Sequence, residues 1–148
     1  MYRVTIYTDG ACSGNPGPAG IGVVLICNGH KKEISEYIGE ATNNIAEIKA
    51  VIVGLSSLKH PEKSCVRLYT DSQWVVGALT QNWKIKRNVE LVEEARKLAA
   101  RVGKLDVVKV KGHAGNEFNE LADRLARNAI KTGQKKIYSR QLKRFTIK

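Results

Sequence analysis

The segment YRVTIYTDGACSGNPG, residues 2–17, is the part of the chain that decides its fold. Val4 and Ile6 alternate with polar residues, and this period of two is typical of a β-strand. We expect the strand to end at Asp9, because glycine and small polar residues dominate the segment that follows. Asp-Gly is also a favoured hairpin turn. Taken alone, Asp9 is therefore compatible with a turn residue or with a ligand.

A second segment repeats this form. CVRLYTD, residues 65–71, is another short apolar strand that ends in Thr-Asp, and a helix is predicted directly after it. Neighbouring strands lie about 5 Å apart. If the two strands are adjacent and parallel, Asp9 and Asp71 lie together at one edge of the sheet, where they can share one or two cations.

The composition narrows the class of partner. The chain has 148 residues, with 25 Lys and Arg against 14 Asp and Glu and a formal net charge of +11. The length suits one domain, and the charge favours a polyanion, either nucleic acid or an anionic membrane, over a merely basic soluble protein. No apolar run reaches the roughly 18 residues of a membrane span, and no signal-peptide pattern is present, so no membrane partner is expected. Cys12, Cys27 and Cys65 match neither a disulfide framework nor a zinc spacing, which indicates a reducing, cytoplasmic location.

The remaining pattern predicts an α/β fold. Residues 20–27 and 31–39 are strands joined by an Asn28-Gly29 turn, so the first three strands form an antiparallel meander. The glycine-rich loop leads into strand residues and does not open a helix, which argues against a dinucleotide site. Further elements are predicted as helices over 42–59, 72–79, 89–102 and after residue 116, and as strands over 65–71 and 105–110. This order gives a mixed sheet with helices on its faces and a site beyond the carboxyl ends of its parallel strands.

The end of the chain is strongly basic. Residues 131–148 carry seven Lys or Arg and no acid. Residues 142–147 alternate like a strand. The tail is therefore either a disordered basic extension or the source of an added edge strand.

Four motifs occur in order along the chain. They are TDG with CSGNPG within residues 8–17, TNNIAE at 42–47, TDSQ at 70–73, and KGHAG with NELAD within 111–123. Together they resemble type 1 ribonuclease H over residues 2 to about 130. The resemblance implies a five-stranded mixed sheet flanked by helices, a catalytic domain at residues 1–130 and a basic C-terminal extension at 131–148. The compact limits of the chain favour a free-standing protein, and we expect a monomer.

The resemblance assigns the catalytic carboxylates to Asp9, Glu47, Asp71 and Asp123, as ligands of two Mg²⁺ ions that Mn²⁺ can replace. Phosphodiester hydrolysis needs a nucleophile made from water and neutralisation of the charge on the attacking and leaving oxygens, and two metals supply both. Magnesium prefers carboxylate oxygens, and four carboxylates repel one another without it. Glu47 alone is compatible with a simple helix-dipole partner. The resemblance gives His113 a role in proton transfer or product release.

The implied substrate is an RNA/DNA hybrid, bound through the 2′-hydroxyls that distinguish RNA from DNA. The implied substrate contacts are Cys12, Asn15, Thr42, Asn43, Asn44, Gln73, Asn82, Trp83 and Asn119. Asn43 and Asn44 are also compatible with helix capping, and Trp83 with helix packing. Glu40 stands where many relatives carry arginine, beside the predicted pocket for a DNA-strand phosphate at Thr42 and Asn82. The basic segment at 82–88 is short.

The leading hypothesis is an endonuclease that hydrolyses the RNA strand of RNA/DNA hybrids and leaves 5′-phosphate and 3′-hydroxyl ends. One alternative is a related nuclease that also cuts double-stranded RNA. The other is a non-catalytic module that binds hybrids. Such a module predicts the loss of at least one of the four carboxylates, and all four are present.

Overall fold

The computed structural model describes residues 1–81, 83–111 and 116–142. The strands are β1 (Tyr2–Cys12), β2 (Gly17–Cys27), β3 (His30–Ala41), β4 (Ser64–Thr70), β5 (Lys104–Lys109) and β6 (Lys135–Gln141). The helices are α1 (Asn43–Ser56), α2 (Gln73–Thr80), α3 (Val89–Ala100) and α4 (Glu117–Thr132), with a 3₁₀ turn at Pro61–Lys63. Within the described ranges, no helix combines the length and the apolar character that crossing a membrane requires.

The strands form one mixed sheet in the order β5-β4-β1-β2-β3-β6. β1, β2 and β3 make the predicted antiparallel meander. The turn between β2 and β3 has positive φ at both Asn28 (51°) and Gly29 (73°), as a type I′ hairpin turn requires. β1 then pairs in parallel with β4, and β4 with β5. The mixed sheet is confirmed, with six strands in the described residues in place of five.

The sheet is covered on both faces. Ile6 points into the main core, where it packs with Ile48 of α1. Its neighbour Tyr7 points to the other face and packs with Leu125 of α4. Because successive strand residues point to opposite faces, α1 and α4 lie on opposite sides of the sheet.

α4 lies directly on the backbone of β2. A Cβ added to Gly22 would overlap the carbonyl oxygen of Ala122, and one added to Gly20 would overlap that of Ala126. The two glycines therefore allow the helix to approach the sheet more closely than side chains would permit. Gly22 is also the ladder partner of Asp9.

β1 is longer than the sequence predicts. It continues through Asp9 and pairs with β2 as far as Cys12, so the predicted end at Asp9 is wrong and the turn interpretation of this residue is excluded. Only the parallel pairing stops early, with Tyr7 opposite Tyr69 as its last pair. Residues 9–12 remain in β1 because they still pair with β2, although glycine and small polar residues are typical of a loop.

The basic tail supplies the sixth strand. α4 ends at Gly133, whose left-handed conformation (φ 62°) turns the chain back at once. The carbonyl of Gln134 then accepts a 3.1 Å hydrogen bond from the amide of Tyr37, and Lys135–Gln141 pairs with β3. An added edge strand is thus present, but it precedes the alternating residues 142–147 that predicted it. Residues 143–148 lie outside the described residues.

Candidate active site

Three carboxylates meet at the edge of the sheet where the parallel pairing ends. Asp9 lies on β1, Asp71 follows β4 directly, and Glu47 lies in α1. One oxygen from each of the three residues lies within 4.8 Å of the other two. Asp9 and Asp71 are close because β1 and β4 are adjacent and parallel, as the two Thr-Asp segments predict.

Gly10 brings Glu47 to the two aspartates. A Cβ at Gly10 would overlap the backbone of Ala46 and Glu47, so only a glycine permits this contact between β1 and α1. The amide of Gly10 donates a 2.7 Å hydrogen bond to Oε1 of Glu47. Thr42 caps the helix by accepting from the amide of Ile45 at 3.3 Å. The first turns of α1 are therefore fixed at the site.

Asp123 reaches the same cavity from α4. The cavity has a volume of about 180 Å³ and is lined by Asp9, Gly10, Glu47, Asp71, Asn119, Glu120 and Asp123. Oδ2 of Asp123 accepts from Nε and Nη2 of Arg127 at 2.9 and 2.8 Å. The fourth carboxylate is therefore held by a guanidinium ion, and it stands outside the compact group formed by the other three.

Burial and mutual repulsion raise the pKa of the central carboxyls. The pKa of Asp9, which is 6% exposed, rises to about 10, first through burial and then through the charges of Glu47 and Asp71. The pKa of Glu47 rises to about 7, chiefly through burial, while hydrogen bonds from Asp9 and Gly10 oppose the rise. At neutral pH the pair therefore retains a proton. A divalent cation can replace that proton, because hard oxygen donors in close contact suit such ions.

Asn119 adds an acceptor in need of a partner. It is 4% exposed, and its Oδ1 has no hydrogen-bond partner among the described residues. An unpaired buried acceptor costs roughly 1–3 kcal/mol. A ligand bound in the acidic cavity would relieve that cost.

A larger groove of about 970 Å³ collects most of the predicted substrate contacts. Those that line it are Asn15, Thr42, Asn43, Asn44 and Trp83. Oδ1 of Asn15 accepts from the amide of Asn43 at 3.0 Å, which ties the loop after β1 to the start of α1. Since Thr42 is the N-cap, the exposed side chains of Asn43 and Asn44 are not the capping groups.

Basic residues line the other wall of this groove. They are Lys84, Lys86 and Arg87. Trp83 fixes the start of this wall: its indole covers Gly77 of α2, while the residue stays 39% exposed. Its carbonyl accepts from Arg96 of α3 at 3.2 Å. Trp83 therefore anchors the wall by helix packing and still presents a surface to the groove.

Two predicted contacts lie elsewhere. Cys12 directs its thiol towards the carbonyl of Ala41 at 2.9 Å, and burial raises the pKa of the thiol. Gln73 is the exposed first residue of α2. Neither lines the groove or the acidic cavity. His113 and Asn82 lie outside the described residues.

Sequence reasoning missed three residues that shape the site. Gly10 and Arg127 position two of the carboxylates, and Trp74 lines the groove. The spacing of Asp123 and Arg127, one helical turn apart, is a signal that predicts their ion pair. The contact of Gly10 with α1 depends on long-range packing, so no local pattern indicates it.

Comparison with known proteins agrees with this architecture. The model of the RNase H family matches residues 1–131. Ribonuclease H of Acetivibrio thermocellus is 42% identical over 150 residues, covering 92% of this chain and 100% of the relative. Ribonuclease H of a Thermoanaerobacter species is 46% identical, covering 86% of this chain and 90% of the relative.

Solved structures show the same likeness. RNase H1 of Halobacterium salinarum superposes with a TM-score of 0.74 at 33% identity, covering 88% of this chain and 98% of that one. LC11-RNase H1, solved in complex with an RNA/DNA hybrid, gives 0.75 at 32% identity with the same coverage. By its sequence, its sheet order and its likeness to these enzymes, the chain belongs to the ribonuclease H family of endoribonucleases.

Proposed function

We propose that this ribonuclease hydrolyses the RNA strand of RNA/DNA hybrids with two divalent ions, Mg²⁺ or Mn²⁺, and leaves 5′-phosphate and 3′-hydroxyl ends. The observation that carries the proposal is the close group of carboxylate oxygens from Asp9, Glu47 and Asp71, which could hold a cation. The hybrid bound to LC11-RNase H1 supports the substrate class.

The residues that would hold the ions are Asp9, Glu47, Asp71 and Asp123. When bound, the ions supply a nucleophile derived from water and neutralise charge on the phosphate oxygens. The protein contributes position and charge. Gly10 holds Glu47 in place through its amide. Asp9 and Glu47 would hold an ion once their shared proton is released, and Asp123, which is paired with Arg127, would complete the set of carboxylates. We assign proton transfer or product release to His113.

Recognition of the hybrid falls to the larger groove. Its amide side chains from Asn15, Asn43 and Asn44 can donate to and accept from 2′-hydroxyl groups, as RNA recognition requires. Lys84, Lys86 and Arg87 line the same groove and suit the phosphates of the DNA strand. Asn119 supplies its unpaired oxygen close to the carboxylates.

A cleavage assay tests the proposal. Labelled hybrid, double-stranded RNA and double-stranded DNA are incubated with the wild type in Mg²⁺, with the wild type in EDTA, and with Asp71→Asn in Mg²⁺. Asp106→Asn, at an exposed position of β5, is the control for loss of one acidic charge. We expect hybrid cleavage only by the wild type and the control, and only in Mg²⁺.

Cleavage of hybrid that persists in EDTA or in Asp71→Asn would rule out the two-ion mechanism. Binding of hybrid without any cleavage in Mg²⁺ would favour a non-catalytic module. Cleavage of double-stranded RNA at a comparable rate would widen the substrate class. End-labelling of the products checks the 5′-phosphate and 3′-hydroxyl ends.

A further inference from the structure

We propose that the cleft between α4 and β6 binds an unpaired flank of the RNA strand next to the hybrid that the enzyme cuts. This inference rests on the proposed function, because it takes the strand at the carboxylates to be RNA. The cleft has a volume of about 350 Å³ and is lined by Arg124, Leu125, Arg127, Asn128, Lys131 and Tyr138. None of these six residues is acidic.

The register between β3 and β6 shows which β6 side chains point towards α4. Ser35 Oγ donates to the carbonyl of Leu125 at 2.7 Å, so Ser35 lies on the α4 face of the sheet. Paired residues of an antiparallel ladder share a face. Lys136 is the partner of Ser35, and alternation then places Tyr138 and Arg140 on the same face. β6 thus adds two cations and one aromatic ring to the cationic side of α4.

The nearby acids cancel only part of this charge. Asp123 is paired with Arg127, and Glu33 is paired with Lys31 at 3.2 Å. Arg124 on α4 is exposed, as are Lys131 and Arg140. The cleft is therefore a surface of net positive charge, and a polyanion is its complementary ligand.

The cleft adjoins the acidic cavity. Arg127 lines the cleft and also binds the Asp123 carboxylate, so one side chain touches both sites. Lys131 lies two turns beyond Asp123, about 12 Å along the helix axis. A nucleic acid strand with one phosphate at the carboxylates reaches the far end of the cleft within a few nucleotides.

Tyr138 decides between a duplex and a single strand. Tyr138 is 40% exposed and lines the cationic cleft. Bases in a duplex are stacked on one another and offer no face to a protein ring. An unpaired base does offer one, and a basic groove with an exposed aromatic ring is typical of single-strand binding.

The test measures how much an unpaired flank tightens binding. Fluorescence anisotropy with Mg²⁺ present compares a blunt hybrid with the same hybrid carrying a few unpaired nucleotides of RNA, or of DNA, at either end. All proteins carry Asp71→Asn to prevent cleavage. We expect an RNA flank at one end to tighten binding at least about fivefold. We also expect the salt dependence of log K to steepen by about 0.7 for each phosphate held.

Matched variants locate the effect. Lys131→Gln is compared with Lys97→Gln, since both lysines are exposed in the last turn of a helix. Tyr138→Ala is compared with Ile137→Ala, which is 51% exposed on the opposite face of β6. Lys131→Gln and Tyr138→Ala should reduce the ratio of flanked to blunt affinity towards one, and the two controls should keep it.

Failure of this inference is distinguishable from failure of the proposed function. If the wild type cuts blunt hybrid in Mg²⁺ but the Asp71→Asn protein gains no affinity from an RNA flank, only the cleft assignment is wrong. A gain that survives Tyr138→Ala, or an equal gain from a DNA flank, also overturns it. If blunt hybrid is not cut at all, the proposed function itself fails.

Discussion

At the scale of single residues, the carboxylates of the site repel one another and are held together by hydrogen bonds, a proton and a guanidinium ion. Asp9 and Glu47 repel one another as anions, yet Gly10 and a retained proton keep them in contact. Asp123 lies at the same cavity but is neutralised by Arg127. The retained proton and the Arg127 guanidinium ion therefore offset negative charge that divalent ions would otherwise neutralise.

Arg127 should set the affinity for those ions. In Arg127→Gln the competing guanidinium ion is absent, and we expect Mg²⁺ to bind about threefold to fivefold more tightly, in line with the modest worth of an exposed ion pair. Isothermal titration calorimetry measures the affinity without relying on cleavage. Arg124→Gln removes the same charge from an exposed neighbouring position and should change the affinity less. Equal or weaker binding in Arg127→Gln contradicts a competing role for this residue.

At the scale of secondary structure elements, β6 extends the sheet by pairing with the outer edge of β3. It covers seven residues of β3, from His30 to Glu36, including the buried Ile34. We propose that residues 1–130 are the catalytic domain, with 131–148 as an extension whose first part completes the sheet. Without β6, the outer edge of β3 would present its backbone amides and carbonyls unpaired.

A chain that ends at Gln134 should unfold at a temperature several degrees lower than the full chain. It keeps α4 and the Gly133 cap but loses every ladder pair between β3 and β6. Activity per folded molecule on blunt hybrid should stay within about threefold, because no residue of the acidic cavity lies beyond Gln134. The matched control ends at Gln141 and retains the strand. An unchanged melting temperature in the shorter chain would mean that β6 adds no stability.

Part of this arrangement of strands and helices could be predicted from the sequence alone. The Thr-Asp segments, the helical spacing of α1 and the four motifs predict the mixed sheet, its antiparallel meander and the meeting of Asp9 with Asp71 at the ends of parallel strands. The true end of β1 could not be predicted, since its last residues pair only because β2 lies beside them. The location of β6 depends on the turn at Gly133, and the alternation at 142–147 was the more conspicuous pattern.

At the scale of the whole molecule, a network of buried acids within a cationic protein connects stability to pH. In the unfolded chain, carboxyl groups titrate near pH 4. In the folded chain, the pKa of Asp9 rises to about 10 and that of Glu47 to about 7. The protonated acids therefore contribute stability that is fully present below about pH 4 and is lost as the pH rises through 7 towards 10.

The comparison of wild type with Asp9→Asn isolates this effect from other titrating groups. In EDTA, the melting temperature of Asp9→Asn should exceed that of the wild type by a margin that grows between pH 5 and pH 9. About 2–4 °C corresponds to each kcal/mol in a protein of this size. Saturating Mg²⁺ should reduce or reverse the margin. A margin that is constant across this pH range would show that Asp9 does not titrate as the geometry requires.

Gly22 lies between β1 and α4 on one face of the sheet, close to two of the proposed catalytic carboxylates. It stands opposite Asp9 across the strand ladder and beneath Ala122, the residue before Asp123. The distance between these two aspartates therefore depends on how closely α4 approaches the backbone of β2 at Gly22. A methyl group placed there would push α4 away from β2 and carry Asp123 with it, so the distance between the two carboxylates would increase although both side chains are retained.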